Sequence, residues 1–255
     1  MNNGFVNHEI KNNIAEITFG HPKSNSLPGE ILEKLAQTVL DQGKDYNVKA
    51  ILLKSDGEKA FCAGASFDEL LSIEELETST KFFGGFAKVL NAMRNCGKLV
   101  IVRVQGKTTG GGVGIACAAD YCFATENAAM ALTELNLGIG PFVIGPYVER
   151  KIGKSAYAAM SIDADFRSAD WCGKHDVYHS VSPTIAEMDA KLQEFLSKLS
   201  ERSTDALALI KKVSWEGTEH FESLMPERIH MSASLILEDS AKQNIGMIKE
   251  RLRAK

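Results

Sequence analysis

Apolar residues recur along the chain with two periods, and the switches between them outline the fold. Ile14-Ala15-Glu16-Ile17-Thr18-Phe19 reads as a half-buried strand. From Glu30 to Gln42, Ile31, Leu32, Leu35, Val39 and Leu40 fall at helical spacing, with Pro28 tolerated in the first turn. Ala50-Ile51-Leu52-Leu53 is a continuous apolar run and predicts a buried strand. A helix carrying Phe82, Phe83, Phe86, Val89, Leu90 and Met93 follows, and Leu99-Val100-Ile101-Val102-Arg103-Val104 predicts another strand. Strands joined through helices require crossovers, so this stretch predicts an α/β fold with a largely parallel sheet or a superhelical relative of one. The final third differs: residues 184–200, 203–214 and roughly 218–252 read as helices. Their apolar positions include Leu192, Phe195, Leu196, Leu207, Ile210, Leu235, Ile236 and Ile248. Burying each such side chain is worth roughly 1.5–3 kcal/mol, so this face caps the sheet or packs on another subunit. The expected organisation is a core over residues 1–180 and a helical region over 181–255.

Composition narrows the class. The chain has 255 residues, 44% apolar and 24% charged, which excludes disordered, collagen-like and coiled-coil readings. A net charge of −4 carries no basic excess, which argues against nucleic acid or an anionic membrane as the main partner. Basic residues are dispersed, apart from Lys249, Arg251, Arg253 and Lys255 at the chain end. The opening MNNGFVNHEI lacks the cationic start and apolar core of a signal peptide, and the longest uncharged run, Leu135 to Val148, is too short to cross a bilayer. A soluble cytoplasmic protein is expected. The five cysteines (Cys62, Cys96, Cys117, Cys122, Cys172) form no CxxC pair and read as reduced packing residues. His175 and His179 stand four apart around a strand-like Val177-Tyr178, without the further ligands a metal needs, so no metal is expected.

Candidate chemistry sits where glycine clears the backbone. Gly106-Lys107-Thr108-Thr109-Gly110-Gly111-Gly112-Val113-Gly114 follows the Leu99–Val104 strand. A P-loop would need glycine where Ile101 stands, and a dinucleotide-binding glycine motif starting at Gly110 would need one at Ile115, so both fail on spacing. What remains is a set of glycines opening an apolar helix-like stretch, Val113 to Ala119. It serves either close helix–strand packing or stabilisation of a developing negative charge by free N–H groups at a helix start. A second small-residue turn, Lys59-Ala60-Phe61-Cys62-Ala63-Gly64-Ala65-Ser66, follows the Ala50–Leu53 strand. Two such turns, each offering one N–H to a single oxygen, would make an oxyanion hole; a plain tight turn is the alternative. The third element is Glu134, within Leu132-Thr133-Glu134-Leu135-Asn136-Leu137-Gly138-Ile139-Gly140-Pro141. A carboxylate held among apolar neighbours would have a raised pKa and exchange protons near neutrality; a plain solvated Glu is the alternative.

In this order the chain resembles the crotonase, or enoyl-CoA hydratase/isomerase, superfamily. The matching text is Asn25-Ser26-Leu27, Phe61-Cys62-Ala63-Gly64-Ala65, Val104-Gln105-Gly106 through Gly110-Gly111-Gly112, Asp120, and Glu134 with Leu137-Gly138-Ile139. It spans roughly residues 5–180 and continues more faintly into the helical end. The resemblance implies a crotonase-like ββα superhelix whose C-terminal helices form homotrimers or homohexamers. It further implies an oxyanion hole from the N–H groups of Ala65 and Gly111, general acid/base work by Glu134, and CoA lying along Ser26, Leu27, Ala63 and Ala65. No cofactor is implied beyond the coenzyme A thioester that is the substrate.

Two departures matter. Hydratases of the family carry a second Glu where this chain has Gly114, and dienoyl-CoA isomerases carry an Asp where it has Phe142. A single carboxylate resembles the members that move a double bond from the 3- to the 2-position of an enoyl-CoA. That isomerisation is the expected activity. Hydration of an enoyl-CoA or methylglutaconyl-CoA remains open if Asp68 or Glu69 enters the site, as does a non-catalytic acyl-CoA binder or scaffold. RNA binding, known for one branch of the family, is not expected from the dispersed basic residues. Phe82, Phe83, Phe86 and Phe142 are candidates for an acyl pocket or for plain core.

Overall fold

A polar strand, Phe5–Lys11 (β1), turns through Asn12 and Asn13 into the alternating strand Ile14–Gly20 (β2). Both asparagines have positive φ, +48° and +63°, as a two-residue hairpin turn requires. The computed structural model describes residues 4–253, with side chains described as far as Arg251. Gly29–Lys44 (α1) leads to Ala50–Ser55 (β3), a single turn Phe67–Leu70 (α2), Leu76–Asn95 (α3) and Leu99–Val104 (β4). The glycine-rich segment gives Thr108–Thr109 (β5) and Gly111–Ala118 (α4), followed by Tyr121–Thr125 (β6), Met130–Ala131 (β7) and a 3-10 turn at Glu134–Leu137. Gly145–Asp163 (α5, kinked at Gly153), Ala169–Lys174 (α6) and Ser180–Ser182 (β8) complete the sheet region. Ile185–Ser200 (α7), Thr204–Ser214 (α8), Phe221–Leu235 (α9) and Asp239–Arg253 (α10) form the helical end.

The main sheet has strand order β1-β2-β3-β4-β6-β8, antiparallel only between β1 and β2. A parallel sheet is buried on both faces, and this one is. Ile17, Ile51, Leu53 and Val102 face α1 and α3 in one core, which Trp215, Phe221 and Met225 of the helical end also join. Ile14, Leu52, Ile101 and Phe123 face Met188, Leu192 and Leu196 of α7 and Leu207 of α8 in the other. The five cysteines are buried and unpaired, and burial pushes the Cys62 and Cys117 thiols up to about 12. They pack as reduced side chains. No helix among the described residues is long and apolar enough to cross a membrane. Of the terminal basic residues, the Arg253 side chain and Lys255 lie outside the described residues.

Two stretches differ from expectation. Val177 and Tyr178 are not a strand: both amides donate to Cys172 O, at 3.0 and 3.3 Å, so they close the end of α6 instead of joining a ladder. His179 Nδ1 accepts the Cys122 amide at 2.9 Å, while His175 stacks on Trp171. The helix expected over 218–252 is two helices. Ile236, Leu237 and Glu238 bond back to Ser232, Ser234 and Leu235 in tightened turns, and Asp239 starts α10 afresh. That break swings α10 over the Glu134–Leu137 turn, where Ile139, Ile236, Ala241 and Ile245 share a small core.

Asp120, at the head of β6, ties this helical end to the sheet. Its Oδ2 accepts from Val100 N at 2.7 Å and from Lys211 Nζ at 2.7 Å, and its Oδ1 accepts from Trp215 Nε1 at 2.7 Å. Lys211 also donates to Met93 O at 2.8 Å, and its side chain is only 3% exposed. Removing one partner from a buried ion pair leaves an uncompensated charge, at a cost of about 3–5 kcal/mol. Asp120→Ala is expected to lower unfolding stability by about that amount in urea titrations; a stability equal to the parent's would show that packing alone holds α8.

Candidate active site

Four segments are laced together by backbone hydrogen bonds. Leu27 N–H donates to Gly64 O at 2.8 Å and Ser66 N–H to Leu27 O at 3.1 Å. Phe61 N–H donates to Lys107 O at 3.0 Å and Thr109 N–H to Cys62 O at 2.9 Å. Thr108 N–H and Gly110 N–H reach Ala129 O and Ala131 O at 2.9 and 3.2 Å. The turn after β3, the start of α4 and the approach to Glu134 thereby become one rigid unit. The turns close on each other through glycine. Gly64 has φ +84° and Gly110 φ +53°, and a β-carbon on Gly64 would lie 3.3 Å from Thr109 O and 3.7 Å from Gly111 N. A β-carbon on Gly110 would lie 3.3 Å from Glu134 Oε1 and 4.0 Å from Gly64 Cα.

Within this unit the amides of Ala65 and Gly111 donate to no acceptor among the described residues. For Ala65 the reason is its pairing with Leu27, which uses the groups on either side of it. For Gly111 the reason is its place as the first residue of a helix, whose N–H has no carbonyl one turn back. Both residues line a cavity of about 320 Å³ together with Ala63, Gly64, Gly110 and Glu134. Phe82, Phe83, Phe86 and Phe142 also line it, so all four aromatic candidates are pocket wall. Ser26 and Leu27 are not part of that wall: Leu27 is fully buried behind the Gly64–Ser66 turn, and Ser26 is nearly so.

Among the described residues, Glu134 is the one ionisable side chain of the cavity wall. The residue is half-buried, but its Oε2 is enclosed and has no hydrogen-bond partner. Burial pushes its carboxyl up to about 7, against a weaker opposing pull from the Glu134 and Thr133 amides. Asp68 and Glu69 stand elsewhere. Asp68 pairs with Lys23 at the surface. Glu69 accepts the Gly29 amide at 2.9 and 3.2 Å, capping the start of α1. The position of the second acid in hydratases is sterically closed here. A β-carbon at Gly114 would meet Ile144 Cγ2 at 2.8 Å and Leu90 Cδ1 at 3.1 Å.

Wall residues that the sequence did not reveal include Phe67, Thr133, Asn136, Ile144, Ser232 and Ile248. Ser232 and Ile248 come from α9 and α10, about a hundred residues from Glu134. Nothing local in those helices marks them. Phe67 and Thr133, by contrast, flank the two motifs directly.

The raised carboxyl of Glu134 has a measurable sign. The folded state holds a proton on Glu134 that the unfolded chain releases from its ordinary value of 4.5, so stability falls as pH rises from about 4.5 to about 7. Glu134→Gln removes that penalty. Denaturation curves are expected to show the variant gaining on the parent across this window, by about 3 kcal/mol at its end; a constant difference between the two would contradict the burial.

Known proteins resemble this chain in sequence and in fold. A short-chain-enoyl-CoA hydratase of Clostridium acetobutylicum is 33% identical over 65% of this chain and 65% of its own. A trans-2-decenoyl-acyl-carrier-protein isomerase of Streptococcus mutans is 21% identical over 97% of this chain and 96% of its own. The crystal structure of an enoyl-CoA hydratase from Bacillus halodurans superposes with a TM-score of 0.89 at 18% identity, covering 95% of this chain and 99% of that one. The fold is therefore the crotonase fold. Residues 9–255 match the family model for enoyl-CoA hydratase/isomerase, and the chain belongs to that family.

Proposed function

We propose that the protein isomerises a 3-enoyl-CoA to the 2-enoyl-CoA, with Ala65 and Gly111 as the oxyanion hole and Glu134 as the sole proton carrier. The observation that carries this reading is the lone carboxylate with an unpartnered oxygen beside two undonated amides. The CoA arm lies along Ala63 and Ala65; Ser26 and Leu27, which the resemblance also implies as CoA-lining positions, are buried behind that turn and support it. Ionised Glu134 removes a proton from the α-carbon, and the electron pair moves onto the thioester oxygen, giving a dienolate. The two amides hold that oxygen, and losing one such donor costs about 10²–10³ in rate. Glu134 then returns the proton to the γ-carbon, so the double bond ends between the α- and β-carbons and the carboxylate is restored. The thioester itself acidifies the α-carbon, so no redox cofactor or metal enters the scheme.

Hydration needs a second group to bind and orient water. The Ile144 and Leu90 side chains close the position at Gly114 that would carry it, which favours isomerisation. Purified protein is expected to convert 3-hexenoyl-CoA much faster than it hydrates crotonyl-CoA. A positioned general acid/base contributes about 10²–10⁴, so Glu134→Gln is expected to lose that much turnover while keeping its affinity for CoA thioesters. Since the base form is required, kcat/KM for 3-hexenoyl-CoA rises with pH to a plateau, half-maximal near 7. Turnover of neither substrate, with CoA affinity intact, would instead support a binding protein.

The family's association through C-terminal helices fits one surface feature. Leu209, Ile210 and Val213 of α8 are 60%, 56% and 60% exposed, a contiguous apolar face for one chain alone. Under this reading another copy covers it, and light scattering gives three or six times the chain mass. Ile210→Asp is expected to shift that mass downward; a monomeric parent would contradict the assignment.

A further inference from the structure

The cavity's wall specifies more than a thioester. Beyond Glu134 it is mostly hydrocarbon and aromatic, with Thr133, Asn136 and Ser232 as neutral polar groups, and among the described residues it presents no cationic side chain. An acyl group ending in a carboxylate would bring that charge into a mostly apolar wall with no cationic partner and with the Glu134 carboxyl nearby, which is costly. An apolar cavity of about 150 Å³ accommodates a benzene ring, so one of about 320 Å³ holds about a dozen carbon-sized atoms.

Phe142 has a second neighbour space. Its ring lines the acyl cavity on one side and, on the other, a groove of about 750 Å³ between α5 and the start of α9. That groove carries Tyr157, Phe221 and Leu224 on its apolar part and Arg150, Lys154 and Arg228 among its charged groups. The ring is folded tightly over Gly140, where a β-carbon would lie 2.4 Å from it. It therefore stands as a partition whose position the absent side chain at 140 permits.

Resting on the acyl-CoA reading above, we propose that Phe142 ends the acyl pocket and restricts the site to unsubstituted hydrocarbon chains of about eight to ten carbons. Removing the ring joins the pocket to the groove behind it and lengthens the acceptable chain. Phe142 is thus a specificity-determining residue and takes no part in the proton transfer.

Calorimetric binding of saturated acyl-CoAs, which cannot react, separates this proposal from the catalytic one. For the parent protein, affinity is expected to rise about fourfold per added methylene from butanoyl- to octanoyl- or decanoyl-CoA, and to stop rising at dodecanoyl- and tetradecanoyl-CoA. Glutaryl-CoA is expected to bind at least about tenfold more weakly than pentanoyl-CoA. In Phe142→Ala the rise continues through tetradecanoyl-CoA, and in the milder Phe142→Leu the break moves to an intermediate length. An uninterrupted rise in the parent, a break unmoved in whichever variants fold, or glutaryl-CoA binding as tightly as pentanoyl-CoA would overturn the proposal. Failure of the parent to bind any acyl-CoA would overturn the acyl-CoA reading itself, a result distinct from any change in chain-length profile.

Discussion

Everything at the candidate site depends on how closely two backbone turns approach. Gly64 and Gly110 meet with less space between them than a pair of ordinary side chains would need, and both hold a left-handed or otherwise restricted backbone. Hydrogen bonds from Leu27, Phe61, Thr109 and Gly110 fix that approach from several directions. The same bonds exhaust the neighbouring groups and leave the Ala65 and Gly111 amides undonated. A rigid frame is what makes two free amides useful: donors fixed in advance need no reorganisation as charge develops on an oxygen.

Glu134 is the counterpart cost. An unpartnered polar atom in an enclosed wall destabilises a fold by about 1–3 kcal/mol, and here it is also an acid held near neutrality. Structures tolerate such a group where the surroundings over-determine its position. The two-faced sheet core and the buried Asp120–Lys211–Trp215 cluster supply that surplus, the latter by fastening the helical end that closes over the site. Under the proposed function the chemistry takes place at this cavity, and Ile144, filling the space beside Gly114, favours isomerisation over hydration.

Much of this was legible in the chain, for identifiable reasons. Helices α1 and α3 carry strong apolar periodicity because each buries one defined face, and strands β2, β3 and β4 stand out as apolar stretches because the sheet is covered on both faces. Strand β1 escaped because only Val6 is fully buried along it, although Asn12-Asn13 is a hairpin signal. Helix α5 escaped because its apolar positions are few and Gly153 interrupts it. The Glu134 and glycine motifs could be named because small residues in fixed order leave a trace in sequence. The ceiling of the pocket could not: Ser232 and Ile248 reach it only because the chain breaks after Leu235 and doubles back, a consequence of tertiary packing. Gly114 was visible as a missing acid, but the side chains occupying that space were not.

The central claim is that two main-chain amides and one carboxylate converge on a single thioester. A crystal structure with octanoyl-CoA bound tests it most directly. The thioester oxygen is expected at about 2.7–3.1 Å from both the Ala65 and Gly111 nitrogens, with the α-carbon facing Glu134. A thioester oxygen held by side chains or solvent elsewhere, with those amides left untouched, would contradict it.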